Sequence, residues 1–309
     1  MKIAYYFYNE YSRKFCDFLP DSIEIVYNSC DADVDLIYCG TISRLRDAFI
    51  AKLKYKKPLI CWVWDIPYNW KEWPLVPEEM NFLPVGFFVN IPGNIEMLRQ
   101  CDLVISASKT TQKVLQEKFN IKSEQLYFYT DFPIVDLNTI KKTKSIIQVS
   151  RFASHKRFEI SIDAAQNIGT PLICAGRNKN DQYFEKLQAH AKRNVTFLHN
   201  IDQQRLIKEL SKATVLVSPS IFEGWGLSPI EAVACGTPII VNDIPVFREV
   251  YGDAAIYHKQ DDVKDLQQKL TMVLNDTQLQ KKIVKDCRKI IAPFTPKLFA
   301  KRWMKLIDG

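Results

Sequence analysis

The stretch SPSIFEGWGLSPIEAVACGTPII, residues 218–240, runs from the end of the apolar run TVLVSPS into the apolar run TPIIVN. Strand, glycine-bearing turn, short helix and second strand in this order are the unit from which helix-covered parallel sheets are built. Two carboxylates, Glu223 and Glu231, flank the turn. Ser228-Pro229-Ile230-Glu231 has the form S-x-x-E with proline in the first helical position. That pattern predicts a capping box, with Ser228 as N-cap and Glu231 reaching back to it. A ligand role for Glu231 fits the same spacing equally well. Glu223 lies ahead of the cap, with no such structural task. Gly224 and Gly226 around the bulky Trp225 let the backbone approach a guest, and the helix N-terminus beyond them offers free N–H groups and a positive dipole end. Phosphate suits such a turn. The dinucleotide pattern G-x-G-x-x-G is not met, because Pro229 stands at the third glycine.

Outward from this turn the same alternation continues. In the second half the runs SIIQVS, TPLICAG, VTFLH, TVLVSPS, TPIIVN and AAIY read as strands, with helices near 157–168, 181–192, 202–212, 229–235 and 261–275. In the first half KIAYYFY, SIEIVY, DLIYC, PLICWVW, DLVISAS and QLYFY read as strands, and ISRLRDAFIAKLKY and KTTQKVLQEKF as helices. Each half reads as a doubly wound unit, joined near FPIVDLNTIKKTK, residues 132–144. Ligands in open parallel sheets sit beyond the carboxyl ends of strands, which selects the loops after Asp65, Ser150, Gly176, His199 and Ser220. Arg151 and Lys156, in VSRFASHKRF, place two cations in one of those loops, a suitable partner for a diphosphate leaving group, although an ordinary solvated loop has the same composition.

VSRFASHK, a strand ending in CAG, VTFLHNID and SPSIFEGWGLSPIEAVACGTPIIV, in this order, resemble glycosyltransferase family 4, the retaining, nucleotide-sugar-dependent enzymes of the GT-B fold. The likeness covers nearly all of residues 145–291, and the two glutamates with seven residues between them are its most specific element. The resemblance implies an α/β fold of two Rossmann-like domains facing a central cleft: residues 1–138, joined by a C-terminal helix at 296–309, would bind the acceptor, and residues 139–295 the donor. It implies that Arg151 and Lys156 hold the donor diphosphate, that Gly224, Trp225, Gly226, Leu227 and Ser228 line phosphate and sugar, that Glu223 contacts the donor sugar and Glu231 the ribose, and that Arg177, Asn200 and Ile201 flank the base.

The first half departs from the family. YYFYNEYSRKF carries no glycine where members have a glycine-rich loop, and all four histidines lie in the second half, so the family's histidine after LICWVW has no counterpart. Asp65 is the nearest group to orient or deprotonate an acceptor hydroxyl, and equally an aspartate capping a loop before Pro67. Four of the six tryptophans fall between Trp62 and Trp73. Trp64, Tyr68 and Trp70 are candidates for a sugar-stacking acceptor platform; Trp64, alternating with Trp62 on a strand, also reads as core. DADVD, residues 31–35, has the D-x-D spacing of a metal site, but it leads straight into a strand and reads by default as a solvated lead-in. No metal or other cofactor is expected, the nucleoside-diphosphate sugar being a substrate.

Composition sets the remaining bounds. The 309 residues are 47% hydrophobic and 25% charged, ordinary values for a globular chain. No apolar run approaches the roughly 18 residues that cross a bilayer. Eight scattered cysteines without C-x-x-C spacing read as free thiols in a reducing cytoplasm, and the first residues make a poor signal peptide. Residues 1–140 hold 15 Lys+Arg against 18 Asp+Glu, net −3, whereas residues 141–309 hold 27 against 17, net +10. Lys281, Lys282, Lys285, Arg288, Lys289, Lys297, Lys301, Arg302 and Lys305 read as a solvated helix face or as a surface for anionic lipid, which would place the protein peripherally at the inner membrane face and suit a lipid-linked acceptor. No nucleic-acid-binding module accompanies the charge. Two rivals share these features: a phosphorylase or epimerase on the same fold, and a catalytically silent sugar-nucleotide-binding protein.

Overall fold

The computed structural model describes residues 1–7, 10–64, 93–136, 141–177 and 181–307. The first half forms a six-stranded sheet from β1 (Lys2–Tyr6), β2 (Glu24–Tyr27), β3 (Leu36–Cys39), β4 (Leu59–Val63), β5 (Leu103–Ser106) and β6 (Glu124–Gln125). The second half forms another from β7 (Thr143–Val149), β8 (Leu172–Gly176), β9 (Val195–His199), β10 (Ala213–Ser218), β11 (Ile239–Asn242) and β12 (Ile256–His258). Their orders are β2-β1-β3-β4-β5-β6 and β12-β11-β10-β7-β8-β9, and every pairing is parallel. Central strands such as β10 are buried at every residue; helices cover both faces, so these strands carry continuous apolar runs instead of alternating ones.

The helices are α1 (Leu45–Tyr55), α2 (Asn94–Arg99), α3 (Lys109–Phe119), α4 (Phe158–Asn167), α5 (Asp181–His190), α6 (Gln203–Lys212), α7 (Leu227–Ala234), α8 (Pro245–Tyr251), α9 (Val263–Asn275), α10 (Thr277–Ile291) and α11 (Pro296–Ile307). The predicted strand QLYFY shrinks to the two residues of β6. From Leu126 to Tyr129 the chain becomes a packing seam, in which Leu126, Phe128 and Tyr129 are buried.

Helix α11 returns to the first half. Its Phe299 and Trp303 meet Phe15 at 4.9 and 5.1 Å, Trp303 meets Tyr38 at 5.1 Å, and Phe299 stacks on Trp62 at 5.3 Å. Buried aromatic faces of this size fasten the C-terminal helix to the first half.

Arg288 of α10 departs from the solvated face expected for the basic C-terminal stretch. Its guanidinium donates to the carbonyls of Val233 (3.2 Å) and Ala234 (2.9 Å) at the end of α7, and to Val135 of the join (2.6 Å). It satisfies orphan carbonyls at a helix C-terminus and ties the join to the helix beside the glycine turn. Arg288→Ala is expected to lower stability by about 2–3 kcal/mol, read as a shifted urea midpoint at unchanged slope.

Candidate functional site

Four loops follow β10, β7, β8 and β9, adjacent strands in that order. Backbone hydrogen bonds join each loop to its neighbour: Ile221 N–H to His155 O (3.0 Å), Phe152 N–H to Arg177 O (3.0 Å) and Asn200 N–H to Gly176 O (2.9 Å). Arg151, Lys156, Arg177, Asn200, Ile201 and the 223–228 turn thus share one sheet edge. Glycine is required at Gly176, where a Cβ would stand 1.8 Å from the Ser150 carbonyl oxygen.

Lys156 closes a 3₁₀ turn, Ser154–Lys156, and its Nζ pairs with Glu223 Oε1 at 2.6 Å. The two side chains are 9% and 15% exposed, so each charge is largely removed from water and depends on the other. Buried amides fix both backbones: Gln148 Nε2 donates to Lys156 O (2.7 Å) and Asn242 Nδ2 to Ser220 O (3.0 Å). Between them His155 stacks on Phe222, centroids 4.7 Å apart at 21°. Burial, reinforced by the charges of Lys156, Arg151 and Arg157, holds His155 well below the usual histidine range, so it is neutral and works as a packing plate. His155 and Phe222 were not among the sequence candidates; their pairing spans 67 positions and leaves no local pattern.

The capping box is not formed. Gly226, at φ 79°, is itself the N-cap, and α7 begins at Leu227 without a side-chain cap bond. A left-handed glycine lets the chain turn into the helix two residues before the sequence pattern suggests, and a Cβ there would lie 2.5 Å from Phe247 Cε1. Ser228 and Pro229 lie inside the first turn, where proline's missing N–H is no loss. The amides of Leu227 and Ser228 are N-terminal donors at the turn, as an anion site needs.

Glu231, without a cap role, is buried. Burial lifts its carboxyl to about 8, with the charge of Asp131 as the second cause. Asp131 belongs to the chain between the sheets. It pairs with Lys14 from the segment after β1 and accepts from Gln203 Nε2 at 3.2 Å at the start of α6. Three distant segments therefore meet at Asp131, whose charge reaches Glu231, an arrangement invisible in the sequence.

Trp225 is 2% exposed and does not line an open donor surface. Its ring stacks on Tyr127 at 4.6 Å and 21° and meets Phe294 edge-on at 4.9 Å. A cavity of about 580 Å³, lined by Lys109, Tyr127, Trp225, Glu249, Phe294 and Arg302 among others, opens on this side. There Glu249 of α8 accepts from Lys109 N, Thr110 N and Thr110 Oγ1, each at 2.7 Å, and caps α3 across the two halves. Trp225 thus anchors the glycine turn to the junction of the sheets.

In the first half Trp64 is half-buried, with Nε1 donating to Gly40 O at 2.8 Å and its ring stacked on Trp62 at 4.7 Å. Asp65, Tyr68 and Trp70 lie outside the described residues. Asp31 accepts from Lys2 Nζ and from Asp33 N, both at 3.0 Å, at the amino end of β3, away from the carboxyl edge.

Residues 133–290 match the family described as Glycosyl transferases group 1. The O-antigen chain mannosyltransferase RfbU of Salmonella typhimurium is 32% identical over 178 residues, 55% of this chain and 50% of that protein. The N,N'-diacetylbacillosaminyl-diphospho-undecaprenol alpha-1,3-N-acetylgalactosaminyltransferase of Campylobacter jejuni is 30% identical over 177 residues, 55% of this chain and 46% of that protein. The chain matches about half the length of these curated relatives. Among solved structures, Anabaena Alr3699/HepE in complex with UDP and glucose superimposes with a TM-score of 0.77 at 16% identity, covering 100% of this chain and 99% of that one. At that identity the likeness establishes the fold, GT-B, with two doubly wound units.

Proposed function

This chain belongs to the group 1 glycosyl transferases, and we propose that it moves a sugar from a nucleoside-diphosphate sugar to a hydroxyl of a glycan or lipid-linked acceptor, with retention of anomeric configuration as in family 4. The observation that carries this reading is the buried Lys156–Glu223 pair at the mouth of a glycine turn and helix N-terminus. Opposite charges poised side by side suit a guest that is anionic at one end and hydroxylated at the other. On donor binding the Lys156 ammonium passes to the diphosphate, beside Arg151 and the Leu227 and Ser228 amides, and Glu223 accepts from sugar hydroxyls. Negative charge developing on the leaving diphosphate meets groups already in place, and the acceptor oxygen attacks the anomeric carbon from the same face as the diphosphate leaves, its hydroxyl proton passing to the departing diphosphate oxygen. These cations neutralise the leaving diphosphate without a metal ion.

The lipid-linked acceptor is inferred from the diphospho-undecaprenol in the name of the Campylobacter relative. Acceptor binding is assigned to the first half, with Trp64 and the segment of Asp65, Tyr68 and Trp70. No helix among the described residues is long and apolar enough to cross a membrane. A thermal-shift screen over nucleotide sugars, followed by turnover with and without acceptor, tests the reading. A bound donor raises the melting temperature by mass action, and acceptor-dependent loss of donor is the expected result. Turnover only with inorganic phosphate would assign a phosphorylase instead, and binding without turnover a silent receptor.

A further inference from the structure

Helix α1 buries one face and carries two large aliphatic side chains on the other. Leu45, Ala48 and Ala51 are buried on its inner face. On its outer side Ile50 is 55% exposed and Leu53 62% exposed, one turn apart. Eight large hydrophobic side chains stand exposed among the described residues, and these are the only two that share a helix. Single exposed aliphatics are ordinary on any protein surface, but an adjacent pair on a helix already packed on its other side marks a contact surface.

The surrounding charge selects the partner. Arg46 lies in line with Ile50 and Leu53 at helical spacing, and Lys54 and Lys56 stand exposed at the helix end with the half-buried Lys57 beside them. The exposed Asp47 is engaged by Arg44 at 3.0 Å, and Asp102 pairs with Lys52 at 2.5 Å. What remains is a pair of aliphatic side chains with Arg46 beside them and Lys54, Lys56 and Lys57 at the helix end, an arrangement that suits a helix lying in the plane of an anionic bilayer with its apolar residues among the acyl chains. The C-terminal cations of α10 and α11 carry charge but only Leu298 as an exposed aliphatic, at 39%.

We propose that the outer face of α1 docks on an anionic lipid surface, with Ile50 and Leu53 inserting and Arg46, Lys54, Lys56 and Lys57 meeting lipid phosphates. Its purpose rests on the lipid-linked acceptor proposed above, since docking would bring such an acceptor to the cleft. Docking itself is measured without donor or acceptor, so either reading can fail alone.

The test is flotation of the purified chain with phosphatidylcholine vesicles, with and without phosphatidylglycerol. Binding is expected only with phosphatidylglycerol and should weaken with salt. Ile50→Ser/Leu53→Ser and Arg46→Glu/Lys54→Glu should each lower partitioning on the order of tenfold or more, since a single cation near such a surface contributes roughly fivefold. Melting temperature and donor turnover should stay at wild-type values in both variants, which separates lost docking from lost folding. Equal binding to neutral vesicles, wild-type binding by both variants, or loss of binding only in Lys297→Glu/Lys301→Glu would overturn the proposal. So would a concentration-dependent dimer dissolved by Ile50→Ser/Leu53→Ser, which would assign this face to a second copy of the chain.

Discussion

Glu223→Gln protein is expected to fold, to bind donor on the order of tenfold more weakly through the lost charged hydrogen bond, and to turn over about 10²–10³-fold more slowly than wild type. The substitution matters because of what surrounds Glu223. Its carboxylate meets the Lys156 ammonium at 2.6 Å, with both side chains largely buried. Alanine would strand the ammonium in a poorly hydrated position, at a cost of about 3–5 kcal/mol, and lost activity could then be lost folding. Glutamine keeps an oxygen that accepts from Lys156 and removes only the charge and its stronger hydrogen bonds to sugar hydroxyls. The comparison to make is kcat and donor KM beside the melting temperature. A fall in kcat at unchanged melting temperature supports a role at the reacting sugar, and undiminished turnover would remove Glu223 from the mechanism.

The sheets and the edge that carries the candidate site were legible because parallel strands buried on both faces write themselves as short apolar runs, and because the ligand end of such a sheet follows from strand direction alone. SIIQVS, TPLICAG, VTFLH and TVLVSPS all became neighbouring strands, and their following loops came together. The errors share one physical origin, which is that local patterns yield to tertiary contacts. S-x-x-E with proline is a sound capping signal in isolation, but Gly226 adopts a left-handed turn against Phe247, and the helix starts at Leu227. Trp225 reads as a ring beside a ligand, yet Tyr127, almost a hundred positions earlier, claims it. Arg288 reads as one cation in a solvated run, yet the carbonyls it meets belong to α7 and the join. The basic run holds both kinds of cation, those that serve the fold and those left to solvent, and sequence spacing does not separate them.

Glu231 leads to a prediction in pH. Its carboxyl titrates at about 8 in the folded protein against a reference of 4.5. Between those values the folded state keeps a proton that the unfolded chain releases, so this residue makes stability fall as pH rises from about 4.5 to about 8, by up to a few kcal/mol over the window. Glu231→Gln should remove that slope and leave the protein more stable than wild type at pH 9, measured by urea unfolding across pH. Donor binding should respond in the opposite sense. If the ionised carboxylate receives the ribose hydroxyls, wild-type donor affinity rises with pH up to about 8 and then levels. In Glu231→Gln it is flat and, above pH 8, about 10- to 100-fold weaker, the value of a hydrogen bond to a charged group. Because Asp131 is the second cause of the shift, Asp131→Asn should move the wild-type midpoint to lower pH, which ties the Lys14–Asp131–Gln203 junction to nucleoside binding through charge alone. Calorimetric titration with a nucleoside diphosphate at several pH values reads all three outcomes. A wild-type affinity that does not change between pH 6 and pH 9 would show that Glu231 meets the ribose as a neutral acid, or not at all.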